Sequence, residues 1–151
     1  MVTRAIKNTD DLALLKVYLD GRKLPFTAEI TDGRDRSAEQ NRLSHKWYAE
    51  ISDQTGEDKE DVRARCKLEI GVPILREVEK FRKTYDRLVR PLSYEDKLDL
   101  IKTTDMPITR LMSVPQMTRY LDLTFRRHAS FGVVLTIPPD RFAYNPEKAA
   151  A

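Results

Sequence analysis

Leu43, Trp47 and Ile51 recur at helical spacing, while Arg42, His45, Lys46 and Ala49 fill the remaining face. That period predicts an amphipathic helix. Ser37 followed by Gln40 has the S-x-x-Q form of a capping box, in which the serine oxygen takes the amide three residues on and the glutamine reaches back. The helix is therefore expected to start at Ser37 and run to about Thr55, where Gly56 stops it. Upstream, residues 24–30 predict a strand and Thr31-Asp32-Gly33-Arg34 its exit turn.

The same reading covers the rest of the chain. Residues 2–7 alternate loosely, as a short strand would. Asn8 or Thr9 then caps a helix with Leu12, Leu15 and Leu19 as its buried stripe and Gly21 as its end. A further helix starts near Asp58, with Val62, Cys66 and Ile70 on one side, and Gly71 and Pro73 break it. Residues 74–90 predict a helix with the stripe Ile74, Val78, Phe81, Tyr85 and Leu88, ended by Pro91. Ser93 opens a short helix with Tyr94, Leu98 and Ile101 inside. Residues 108–112 are a candidate strand. Ser113-Val114-Pro115-Gln116 is a second capping box, with Met117, Leu121 and Phe125 lining its helix. Phe131-Gly132 stops that helix, residues 133–137 predict a terminal strand, and Pro138-Pro139 closes the ordered part. The expected fold is α+β: a mostly helical single domain over residues 1–145 with three or four short strands. Residues 146–151 are expected to be a disordered tail or a cloning scar.

Composition narrows the function classes. The 151 residues are 40% hydrophobic and 34% charged, with a net charge of +3. A mildly basic chain permits a nucleic-acid partner without demanding one. Cys66 is the only cysteine, so neither an intrachain disulfide nor a Cys-based zinc site is expected, and a reducing cytoplasm fits. The first residues have no apolar core of a signal peptide, and no apolar run approaches a membrane span. His45 and His128 are the only histidines, and neither has a ligand partner three or four residues away. The five glycines form no phosphate loop. A metal-dependent nuclease is thus the weaker alternative, and no metal or cofactor is expected.

Two stretches stand in fixed order: Arg36-Ser37-x-x-Gln40-Asn41-Arg42 before the Trp47 helix, and Thr109-Arg110-Leu111-Met112-Ser113-Val114-x-Gln116-Met117-x-x-Tyr120-Leu121 before Gly132. Together they resemble the NinB family of phage recombination proteins, also called Orf. The resemblance covers most of the chain in order, although residues 57–100 match only by helix order. It implies a cytoplasmic homodimer in a bacterial host cell, acting as a non-catalytic recombination mediator. Such a protein binds single-stranded DNA and the host single-strand-binding protein, whose acidic tail ends in an apolar residue.

The candidate DNA-binding residues are those that could neutralise phosphates or reach bases. At the corner before and within the Trp47 helix they are Arg34, Arg36, Gln40, Asn41, Arg42 and Lys46. On the helix of residues 74–90 they are Arg82, Lys83 and Arg87, and near the C-terminus Arg126 and Arg127. Helix N-termini favour anions, which adds to the corner's attraction. Gln40 has a second role open to it, that of tying the helix start to the domain. Tyr48, just off the apolar stripe, is a candidate stacking platform, whereas Trp47 and Tyr85 read as core. The charge runs read equally well as solvated helix faces, and the same basic surface could serve DNA or an acidic tail. A protein-interaction module that binds no DNA is the third reading.

Overall fold

The computed structural model describes residues 3–30 and 33–149, and these fall into two compact units divided after Asp35. Val2, Thr31, Asp32 and the last two alanines, parts of the expected first strand, exit turn and tail, lie outside the described residues.

Among its described residues the N-terminal unit contains one helix, α1 (Thr9–Asp20). Asn8 caps it by accepting the Asp11 amide at 2.8 Å, and Gly21 ends it. The guanidinium of Arg4 lies over the Tyr18 ring at 4.4 Å, and Arg22 donates to the Tyr18 hydroxyl at 2.8 Å. The stripe expected on Leu12, Leu15 and Leu19 is not buried: no residue of α1 is. Within its own unit α1 has no second helix to cover that stripe.

In the second unit α2 (Arg36–Thr55) packs on α3 (Lys59–Cys66) and on α7 (Val114–Ser130). A π turn (Lys67–Gly71) carries α3 straight into α4 (Val72–Leu75). After a short turn come α5 (Glu79–Leu88) and α6 (Tyr94–Thr104), the latter packed on α3. A 3-10 turn (Thr109–Leu111) leads into α7, and α8 (Pro146–Ala149) packs back on α7.

The run from α3 through α4 is central because its sequence is apolar on two faces. Val62, Cys66, Ile70 and Ile74 enter one core cluster with α2, α7 and residues 133–144. Ala64, Leu68, Val72 and Leu75 enter a second with Tyr85, Ile101 and Ile108. Both series repeat about every fourth residue. Burying both leaves the run only a narrow solvated strip through Asp61, Arg65, Glu69 and Pro73, and the removal of so much apolar area from water favours that. Pro73 does not break this run. The Val72 amide reaches the Lys67 carbonyl, five residues back, so the wide turn takes up the distortion that proline imposes. Gly71 fits there because a Cβ would lie 2.8 Å from Cγ2 of buried Ile108.

Several sequence expectations are corrected. The described residues are 65% helical and contain no β-strand, so the fold is all-α rather than α+β. Residues 3–7 and 24–30 are irregular, and residues 108–112 hold the 3-10 turn. Residues 133–137 also have no strand assignment, and side chains of α2 take the place of a strand partner. The Gln54 carboxamide accepts the Val134 amide at 2.8 Å and donates to the Val134 carbonyl at 2.7 Å. Two residues on, Glu50 accepts the Thr136 amide at 2.9 Å and the Trp47 indole donates to the Thr136 carbonyl at 2.7 Å. Backbone donors and acceptors must be met somewhere, and a helix face spaced 47, 50, 54 meets them at alternate positions.

The other corrections are local. The helix expected over residues 74–90 is two pieces, with Val78 46% exposed at the break. The segment expected to fray is folded: Tyr144 is fully buried against Trp47, its ring 5.4 Å away, and Ala149 packs on the same cluster. Tyr48 is no stacking platform; it is buried, and its hydroxyl meets that of Tyr120 at 2.5 Å.

The close approach at Gly71 generates a prediction. Gly71→Ala should destabilise the protein by about 1–3 kcal/mol, the usual cost of overpacking a filled core. Urea unfolding reads this directly; an unshifted midpoint would mean that Ile108 yields without strain.

Candidate nucleic-acid interface

The expected corner separates into buried and exposed residues. α2 begins at Arg36, one residue before the serine of the capping box. That shift moves Gln40 beyond the position from which it could bond back, and onto the buried face. Gln40 is fully buried, and its amide donates to Thr118 Oγ1 on α7 at 2.8 Å. Arg36 reaches the same hydroxyl at 3.5 Å. These two residues tie α2 to α7, and Gln40 presents nothing to a ligand. Arg34 lies in the N-terminal unit.

Asn41, Arg42, His45 and Lys46 alternate with buried Gln40, Leu43, Ser44 and Trp47 and form an exposed ridge along α2. Arg42 and Lys46 take part in no ion pair among the described residues. A charge held in a salt link must shed its partner before meeting a phosphate; these two need not.

The other candidate cations are largely engaged. On α5, Lys83 pairs with Glu79 at 2.9 Å and Arg82 donates to the Arg76 carbonyl at 3.3 Å, while Arg87 is exposed. That helix packs through Phe81 and Tyr85 on the second core cluster, away from the cluster that holds α2. On α7, Arg126 pairs with Asp122 at 2.9 Å and Arg127 approaches Glu69 at 3.4 Å. The structure therefore does not gather the three candidate groups into one patch.

Arg127 contributes to a different feature, an open groove of about 410 Å³. Leu68, Val72, Pro73 and Tyr85 give it an apolar floor. Arg76, Arg90, Lys97 and Arg127 border it against one carboxylate, Glu69, which also accepts the Tyr94 hydroxyl at 3.0 Å. Arg76 is held by Asp86 through two bonds of 2.8 Å, so its charge is shared.

Sequence reasoning missed a second cationic cluster beside the α2 ridge. Arg63 and Lys67 are buried on the central helix, and both approach Asp105, which Arg110 also touches. Asp105 caps α6 in a left-handed conformation, with φ 48°. Its hydrogen bond from Arg63, with Lys67 close by, holds its carboxyl below the usual carboxylate range. Burial first, then Lys59, Lys67 and Arg63, lowers the pKa of His45 on α2, so this side of α2 lies in a positive field. The legible signal was the four-residue repeat of positive charge at Arg63 and Lys67, inside a segment otherwise apolar on both faces.

Among the described residues no three of His, Cys, Asp and Glu converge. His128 is buried with its Nδ1 2.8 Å from the Thr124 carbonyl, and burial pushes the Cys66 thiol up to about 12. No helix among the described residues is long and apolar enough to cross a membrane. The chain matches no family model, no curated protein and no solved structure. The likeness to NinB proteins therefore stands on the two quoted motifs alone.

His128 sets a pH expectation. Burial lowers its pKa below the ordinary 6.5 and outweighs the opposing Thr124 bond, and the nearby Arg65 and Arg127 add to the lowering. The unfolded chain then binds this proton more readily, so stability present above the ordinary value is lost as pH falls below it. Chemical unfolding should show a less stable protein at about pH 5.5 than at about pH 7.5, a gap that His128→Gln narrows. His45 acts in the same direction. An undiminished gap in the variant would assign the proton uptake elsewhere.

Proposed function

We propose that this protein binds single-stranded DNA without catalysis, as a recombination mediator of the phage type, and that it contacts a host single-strand-binding protein. The observation that carries the DNA half is the α2 ridge, where Arg42 and Lys46 stand exposed beside Asn41 and, among the described residues, without ion pairs. Two uncompensated cations one helical turn apart offer successive phosphates an interaction that costs no internal salt link. The family likeness includes Asn41 and Arg42 of this same ridge. It also implies a homodimer, which the proposal keeps, acting in the bacterial cytoplasm.

The partner half rests on the groove over Leu68, Val72 and Tyr85. An apolar floor with a basic border suits a peptide that is acidic and ends in an apolar side chain. Sequence alone left one basic surface to serve two ligands; two separate surfaces make a simultaneous engagement reasonable. The groove also favours the second reading, an interaction module that ignores DNA.

Fluorescence anisotropy with oligo(dT) and with a duplex of equal length separates these readings. A mediator should prefer the single strand and lose affinity steeply with salt. Arg42→Ala with Lys46→Ala should weaken oligo(dT) binding and reduce the salt slope by about two, one for each phosphate that is no longer neutralised. Binding of an acidic peptide by a protein indifferent to oligo(dT) would establish the interaction module instead.

A further inference from the structure

The cluster around Asp105 has more cationic donors than its own structure consumes. Arg63 is spent: Nε and Nη2 donate to Glu60 Oε2 at 3.0 and 2.7 Å, and Nη1 donates to Asp105 Oδ1 at 2.7 Å. Lys67 is different. Its side chain is only 9% exposed, its nearest carboxylate oxygen is 3.8 Å away, and its ammonium makes no hydrogen bond among the described residues. A buried charge without hydrogen bonds is costly to leave so. Yet the ammonium is not sealed in. Among the described residues, the fully enclosed side-chain atoms that have no partner are Gln40 Oε1 and Glu50 Oε1. Lys67 Nζ is therefore not fully enclosed.

Arg110 approaches the other oxygen of the same carboxylate. Its Nη2 donates to the Asp105 carbonyl at 3.0 Å and lies 3.9 Å from the carboxylate, which leaves Nε and Nη1 to solvent on a side chain 65% exposed. The fold fixes this placement. Gly71 lets Ile108 rest on the π turn, the following 3-10 turn carries Arg110, and Lys67 is the first residue of the π turn itself. The charges at the cluster are Arg63, Lys67 and Arg110 against Asp105 and Glu60, with Lys59 and His45 at its edge.

We propose that Lys67 and Arg110, positioned by Arg63 and Asp105, form a phosphate-binding subsite. The two anionic oxygens of a tetrahedral phosphate accept from an ammonium and a guanidinium together, and both groups have donors to spare. This inference rests on the proposed single-strand binding: the subsite takes one backbone phosphate of a strand that follows the α2 ridge. Asp105 is the internal competitor. It supplies the negative charge that holds the cations in place, and a phosphate replaces part of that charge. Burial and the neighbouring Arg63 lower the pKa of Lys67, as expected of an ammonium short of counter-charge.

Opposite responses of two variants make the test. Asp105→Asn keeps a residue tolerant of the left-handed backbone while removing the competing charge. The full chain and its Lys67→Met, Arg110→Ala and Asp105→Asn variants are titrated with oligo(dT) over a range of salt. Those that keep Lys67 are also titrated with inorganic phosphate, with the Lys67 ammonium followed by NMR. Lys67→Met and Arg110→Ala should each weaken oligo(dT) several-fold and lower the salt slope by about one, whereas Asp105→Asn should tighten binding. If the Lys67 variant unfolds, Arg110→Ala, at an exposed position, carries the comparison. A Lys67 signal that shifts with inorganic phosphate in a protein indifferent to oligo(dT) would keep the subsite, assign it to a free phosphate, and overturn the single-strand reading. Unchanged affinity and slope in the variants, together with a Lys67 signal unmoved by phosphate, would overturn the subsite.

Discussion

The structure depends on one helical run being buried on two sides. From Lys59 to Leu75 the chain supplies apolar residues to both core clusters, and every other helix of the second unit packs on it or on a helix that does. Such a run has little freedom to shift, because each sliding step would misalign two packed faces at once. It meets its one internal obstacle, Pro73, with a wider turn rather than a break. The widened turn has a consequence for charge. It places Lys67 beside Asp105 of the 105–110 loop, so a core element holds a cation that a surface helix would leave mobile.

From that axis the basic surfaces can be ranked. α2 leans on the central helix with one face and on residues 133–136 with another, so its third face must be the wet one. Arg42 and Lys46 are on that face and unpaired among the described residues, and the Lys67 cluster adjoins it. The α5 and α7 arginines and lysines, equally prominent in the sequence, mostly meet carboxylates or carbonyls of their own chain. Equal formal charge thus has unequal capacity for a polyanion, and the partners each cation already holds decide it.

Much of the helix layout was legible because its signals are local. Asn8, Asp58, Ser93 and Ser113 cap the helices they were expected to cap, and Gly21, Gly56 and Gly132 stand where helices stop. What failed was not local. Residues 133–137 have strand chemistry, yet their hydrogen bonds go to Gln54, Glu50 and Trp47, about 80 to 90 residues away in sequence, which no periodicity reveals. Ser37 and Gln40 had the right spacing for a cap, but a tertiary bond to Thr118 won. Tyr48 looked like a surface ring because its partner, Tyr120, sits on a different helix. The candidate site was legible in part: the α2 ridge follows from helical spacing alone, whereas the Asp105 cluster needs two segments about 40 residues apart brought together by the fold.

The most direct test of the account is amide and side-chain NMR of the labelled protein as oligo(dT) is added. The account predicts that shifts concentrate on residues 41–46 and extend to Lys67 and Arg110, leaving residues 82–87 and the floor of the Tyr85 groove unmoved. Shifts centred on α5 or the groove, or none at all, would contradict it.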